Sequence, residues 1–251
     1  MIRKTWPPNK WLLTTQREHA RVAGLIASFW NYTDGKPHED VQWAAAHHED
    51  GWSEYDQFPQ INRRGEPAGY LECDAATLIG AWNKSIQLAV DAGRPYAARL
   101  IAELFAEYAQ NLNLSRCSAK ESLEIGRFIF TARKRAENPA ESPEEAEAFR
   151  KDLQLLEVCD AISTALASDF VGEMPIENVP YTQPPHRVLL VRKRADSLSG
   201  TITPLPLKKN FRDHFHSLVV EQRTYENADE LKTAISGLKP LMNEIHVGGK
   251  A

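Results

Sequence analysis

Cysteine is scarce. Cys73, Cys117 and Cys159 are the three in 251 residues, odd in number and widely spaced, and no two form a metal-type pair. That excludes a disulfide framework and a thiolate zinc site, and it points to a reducing, cytoplasmic setting. A basic excess is missing too. Thirty Lys and Arg face 34 Asp and Glu, a formal net charge of −4, so no nucleic-acid partner is expected. The short run Arg192-Lys193-Arg194 reads as a strand end in water. No apolar run approaches the roughly 20 residues of a membrane span, and Met1 to Pro8 lacks the apolar core of a secretion signal. What is present, 42% hydrophobic and 25% charged, is the composition of an ordinary globular chain. It is long enough to bury a full core.

Chemistry concentrates in Ala44-Ala45-Ala46-His47-His48-Glu49-Asp50-Gly51-Trp52. Val41, Ala44, Ala45 and His48 have helical spacing, so His48 is expected to end the buried stripe of a helix. Gly51 is expected to close that helix in the left-handed conformation. Imidazole nitrogen and carboxylate oxygen together suit a divalent Mn, Fe, Co, Ni or Zn ion. Two distant residues can complete the set. His19 lies three before Val22 and seven before Ile26, on the apolar face of a helix expected from about Gln16 to Trp30. Thr15 and Glu18 give that helix the form of a capping box. Asp160 follows Phe149, Leu153 and Leu156 at helical spacing, and an acid on such a face is costly unless it is paired or bound to metal.

Around these residues the chain reads as mainly helical to about residue 170. Trp11 to Thr15 reads as a short strand or extended lead-in, and Asp34-Gly35 as a turn. Trp52 to Pro59, followed by a polar loop through Asn62 to Pro67, is expected to be a long segment forming one wall of a pocket. Asp56 is then a candidate catalytic acid, and Arg63 and Arg64 face an anionic substrate. Ser142-Pro143-Glu144-Glu145 starts the helix that carries Asp160. From Val171 onward, prolines and the β-prone runs at Val188, Thr201 and Leu218 predict a β-rich C-terminal appendage over 171–251, packed on a helical domain over 1–170.

The ordered set His19, His48 with its adjacent acid, and Asp160 resembles the HD-domain superfamily of metal-dependent phosphohydrolases. More closely, the chain is similar to a bacterial domain-of-unknown-function family within it. Those members read His-Asp-Asp-Gly-Trp where this chain has His48-Glu49-Asp50-Gly51-Trp52. They share a leading Trp-Leu-Leu and a Pro-x-Pro run, here Pro204-Leu205-Pro206. The resemblance implies a mainly α, HD-like body with a small C-terminal β segment. It puts His19, His48 and Asp160 on metal-ligand positions, with Glu49 standing where the superfamily has Asp. No His lies between His48 and His186, which favours one ion over two. The activity so implied is a single-metal phosphohydrolase of a small phosphate ester or nucleotide, with Asp50 or Asp56 handling water. The rivals are a degenerate scaffold that binds without catalysis and an iron-dependent oxygenase.

Overall fold

The computed structural model describes residues 1–33, 35–112 and 117–249; Asp34, read above as part of a turn, lies outside them. The elements in chain order are β1 (Ile2–Trp6), β2 (Lys10–Thr14), α1 (Gln16–Phe29), α2 (Asp40–His47), α3 (Ser53–Gln57), α4 (Ala75–Asp91), α5 (Pro95–Gln110), α6 (Ala119–Ala136) and α7 (Pro143–Ala167). Then follow β3 (Gly172–Ile176), β4 (Val188–Arg192), β5 (Gly200–Thr203), β6 (Phe211–Glu221), α8 (Ala228–Ile235) and β7 (Leu241–Gly248). The local signals are made good at the helix starts. Thr15, Ser118 and Ser142 each accept from the backbone N–H three residues on, and at Ser118 and Ser142 a Glu reaches back to complete the box.

The expected mainly α, HD-like body is corrected to an α+β fold. The strands form one seven-stranded mixed sheet in the order β1-β2-β6-β7-β5-β4-β3, with β5 and β7 parallel and the other pairs antiparallel. Both ends of the chain build it. The join is made by β6, which pairs Leu12 with Val219 on one side and Phe215 with Asn243 on the other. Alternation explains β2. Leu12 enters the main core, while Trp11 and Leu13 face a second cluster with Met1 and Val220, against which Ile235 of α8 packs. Both faces of β2 are therefore covered, and its apolar run is continuous. The main core joins sheet and helices: Leu12, Leu190, Ile202 and Phe215 pack with Ile26, Leu104 and Leu156. Phe29 of α1 stacks on Phe211 of β6 at 5.2 Å.

The segment after Trp52 contains the short helix α3 before its loop begins. One other expectation is corrected. Arg192 is no solvated strand end. It is 0% exposed and donates to the carbonyls of Ala165 (2.7 Å) and Ser168 (2.6 Å), closing the C-terminus of α7. Lys4 lies close by, also 0% exposed, with Asp169 3.9 Å from its Nζ. Among the described residues no helix is long and apolar enough to cross a membrane.

Burial first, then the neighbouring Arg192, pulls the Lys4 ammonium from 10.5 down to about 8, against the opposing pull of Asp169 and Asp196. A lowered folded pKa means that the charged form destabilises the fold. That cost is full below about pH 8 and vanishes as pH rises to 10.5. Lys4→Met is expected to raise the thermal midpoint at pH 7 by a few degrees, since an isosteric apolar group replaces a buried cation. The gain should shrink across pH 8 to 10.5 in a calorimetric series; a variant less stable than wild type at pH 7 would contradict the account.

Candidate metal centre

Four helices bring the centre together. His19 sits one turn into α1, on the face that buries Val22 and Ile26. α1 crosses α2 at close range, because a Cβ on Gly24 would fall 2.5 Å from Ala46 Cβ. That approach sets His48, which ends α2, against His19, and the two rings meet edge to face with centroids 5.4 Å apart. Asp160 lies past the middle of α7, between Leu156 and Ser163 on its buried side. Gly51 does not take the expected left-handed conformation; it is part of a 3-10 turn over Asp50–Trp52. Its role is proximity. A Cβ there would collide with the Ala81 carbonyl of α4, while the Gly51 N–H donates to Ser85 Oγ at 2.9 Å. The turn holding His48 and Glu49 is thus pinned to α4.

The side chains are deeply buried: His48 is 0% exposed, His19 2%, Glu49 4% and Asp160 7%. His19, His48 and Asp160 each offer a ligand atom within 4.8 Å of the others, a group that could hold a metal ion. Ligands of one ion at about 2.0–2.2 Å lie no more than roughly 4.4 Å apart, so a small contraction suffices. The outer hydrogen bonds orient the rings. His48 Nδ1–H donates to the Ala45 carbonyl at 3.0 Å, which leaves the Nε2 lone pair facing Asp160 Oδ1 at 3.2 Å. Ser163 Oγ donates to the Asp160 carbonyl at 2.9 Å, so it accepts from His19 Nδ1–H at 3.1 Å. His19 Nε2 then faces Glu49 Oε1 at 3.9 Å. Each lone pair confronts a carboxylate oxygen, and a proton or a cation between them is required. Tyr108 donates to Asp160 Oδ2, leaving Oδ1 on the inside. Glu49 Oε2 is buried and has no hydrogen-bond partner among the described residues.

Electrostatics match this geometry. Burial alone would lower the His48 pKa, but the hydrogen bond and charge of Asp160 outweigh it and push it from 6.5 up to about 9. Burial would raise Asp160; contacts with His48, His19 and Tyr108 hold it well below the usual carboxylate range. The Tyr70 phenol is pushed far up by burial and then by the charges of Asp160 and Glu49, so it stays protonated beside them.

The remaining candidates fall elsewhere. Asp50 accepts from Arg17 (3.0 Å) and His47 (2.8 Å), and Asp56 accepts from the Gln16 N–H (2.9 Å) and lies 3.3 Å from the Met1 ammonium. Both line a pocket that also holds Arg17 and Arg21. Asp160 opens instead on a second cleft with Tyr70, Trp82 and Tyr108. Arg63 and Arg64 are exposed in a third groove, which shares Leu71, Asn111 and Leu112 with that cleft; Arg64 is paired with Glu66 at 2.8 Å. Sequence reasoning missed Tyr70, Tyr108 and Ser163 as parts of the centre. Tyr108 alone left a signal, a hydroxyl ending the apolar stripe of α5.

The class of chain defined by this fold and centre is an α+β protein with a buried His-His-carboxylate cluster suited to a metal ion. The family model described as Protein of unknown function (DUF3891) matches residues 1–222, and the chain belongs to that family. No curated protein and no solved structure matches the chain.

A raised histidine pKa stabilises the fold fully below the unfolded value and is lost as pH rises through the folded one. With chelator present, the excess thermal midpoint of wild type over His48→Gln is expected to be constant below pH 6.5 and to shrink by pH 9. An excess that grows over that interval would contradict the His48–Asp160 pairing.

Proposed function

We propose that the chain is a single-metal hydrolase of small phosphate esters, with His19, His48, Glu49 and Asp160 holding the ion. The observation that carries this reading is Glu49 Oε2, a buried carboxylate oxygen with no donor among the described residues, beside two oriented imidazoles and a second buried acid. Packing alone gives such an atom no compensation. Mn, Fe, Co, Ni and Zn all fit the oxygen and nitrogen donors. When bound, the ion would polarise a phosphoryl oxygen and lower the pKa of bound water. The protein's own residues do the rest. Ala45 and Ser163 fix the two ring orientations. Tyr108 restrains one oxygen of Asp160, and Tyr70 lines the cleft onto which Asp160 opens. The order His19, His48-Glu49, Asp160 also follows the pattern of the HD phosphohydrolases. Asp50 and Asp56 stay outside the chemistry on this reading, because each is engaged in a separate pocket. Arg63 and Arg64 lie along the neighbouring groove, so neutralising the scissile group falls to the ion.

One observation favours a second reading. Two histidines and a carboxylate are also the ligand set of iron oxygenases, and the cleft at Asp160 is lined mainly by apolar side chains. Ferrous-dependent oxygen uptake without phosphate release would select it.

Metal analysis tests the centre. Wild type is expected to carry one ion per chain, and His48→Ala and Asp160→Asn to lose it. Glu49→Asp should retain it, Glu49→Ala should bind more weakly, and Asp50→Ala should be silent. Tyr108→Phe should cost about 10–100-fold in affinity, as loss of an outer hydrogen bond does. Wild type purified and reconstituted without metal uptake would leave only a binding scaffold.

A further inference from the structure

The cleft that reaches Asp160 has a composition the chemistry above does not use. It encloses about 480 Å³ between the 70–72 turn, α4, α5, α7 and β3. Small-molecule sites run from about 300 to 1,000 Å³, so it holds a ligand of ring size or larger. Trp82 forms part of its wall, stacked on Phe105 with centroids 5.3 Å apart. Leu71, Leu112, Phe170 and Met174 line it further. Among the described residues that line it, none is Lys, Arg or His, and the one charged group is Asp160 itself. Leu71 is 70% exposed at its rim, an apolar side chain held in water with no packing gain there.

We infer that this cleft binds an uncharged, apolar aryl or alkyl group of the substrate, next to the bond that is broken at the centre. A polyphosphate or a second carboxylate in the same space would sit in an apolar surround beside Asp160 with no described cation to meet it. Charge at the centre points the same way. Two carboxylates, Glu49 and Asp160, offset most of the charge of one divalent ion, so anions on the substrate beyond the scissile group meet little positive charge. The substrate class is therefore an ester with an apolar substituent and little charge, and highly charged nucleotides are disfavoured. The placement beside the bond that is broken rests on the metal reading; the apolar binding site does not.

The test separates the two. Titration calorimetry with 1-naphthol, a neutral aryl probe that needs no ion, is run on wild type, Ala161→Trp and Leu71→Glu. The first variant fills the cleft from α7, and the second puts a charge on an exposed wall residue, where folding is not at stake. Saturable one-site binding to wild type, weakened at least tenfold in both variants, is expected. No saturable binding, or equal binding in Leu71→Glu, overturns the inference. A series of alkyl phosphonates on metal-loaded protein adds the position of the group. Affinity should rise about fourfold per methylene until the cleft is filled, and a flat series overturns the placement beside the centre. Naphthol binding in a protein that takes up no metal would sink the hydrolase reading and leave the apolar site standing; metal uptake without naphthol binding would do the reverse.

Discussion

Burying the Asp160 carboxylate is the step on which the rest of the molecule depends. An ionised carboxylate removed from water costs several kcal/mol unless its oxygens are met. Here they are met from four directions. His48 arrives from the end of α2, His19 from α1, Tyr108 from α5, and Thr164 from the next turn of α7. Partners on three other helices mean that no two of those helices can shift without exposing the charge to an apolar surround. Removing one partner of such a group typically costs about 3–5 kcal/mol, much of it the penalty of the charge left behind. The geometry of the centre and the packing of the helical layer are consequently one constraint.

The same helix carries one further buried charge, Asp152, and meets another, Arg192 of β4; together they tie it to the rest of the chain. Two turns before Asp160, Asp152 accepts from the hydroxyls of Tyr96 and Tyr181 and from the His38 N–H. Burial raises its pKa, and those donors work against that rise. Tyr96 belongs to the start of α5, while Tyr181 and His38 belong to loops, so Asp152 fixes α7 just before its middle and Asp160 two turns further on. At the far end Arg192 of β4 closes the helix carbonyls and joins α7 to the sheet. Register is thus specified at three heights along a 25-residue helix, and apolar packing alone would tolerate more sliding than this.

What could be read from the sequence was what local periodicity reports. Helical spacing put His19 and Asp160 on buried faces, and both are there. Cap residues located the starts of α1 and α7. Periodicity is silent on what lies across a face, and the misreadings follow from that. The pairing of β2 with β6 joins residues some two hundred apart in the chain, which no window of local pattern contains. Arg192 looked solvated because three basic residues stood in a row, whereas strand alternation sends it inward. Adjacency misled at the motif as well. His47 and Asp50 are three apart and pair with each other on the outer side, while His48 and Glu49 turn inward. Tyr70 could not be anticipated, since it reaches the centre from a loop with no period at all.

The glutamate at 49 is the residue whose presence most constrains an account of the centre. It follows the last turn of α2, with φ −105° and ψ 14°, where the chain leaves the helix axis. From there its carboxylate lies 3.9 Å from His19 Nε2. An aspartate at the same backbone position would be shorter by one methylene. The turn that carries Glu49 is held to α4 through the Gly51 N–H. If the side chain served packing alone, the neutral isostere Gln would fill the same volume without a buried charge, and its amide could donate to a neighbouring acid. A carboxylate retained there, one oxygen towards His19 and the other without a donor among the described residues, fits a position shaped for a cation.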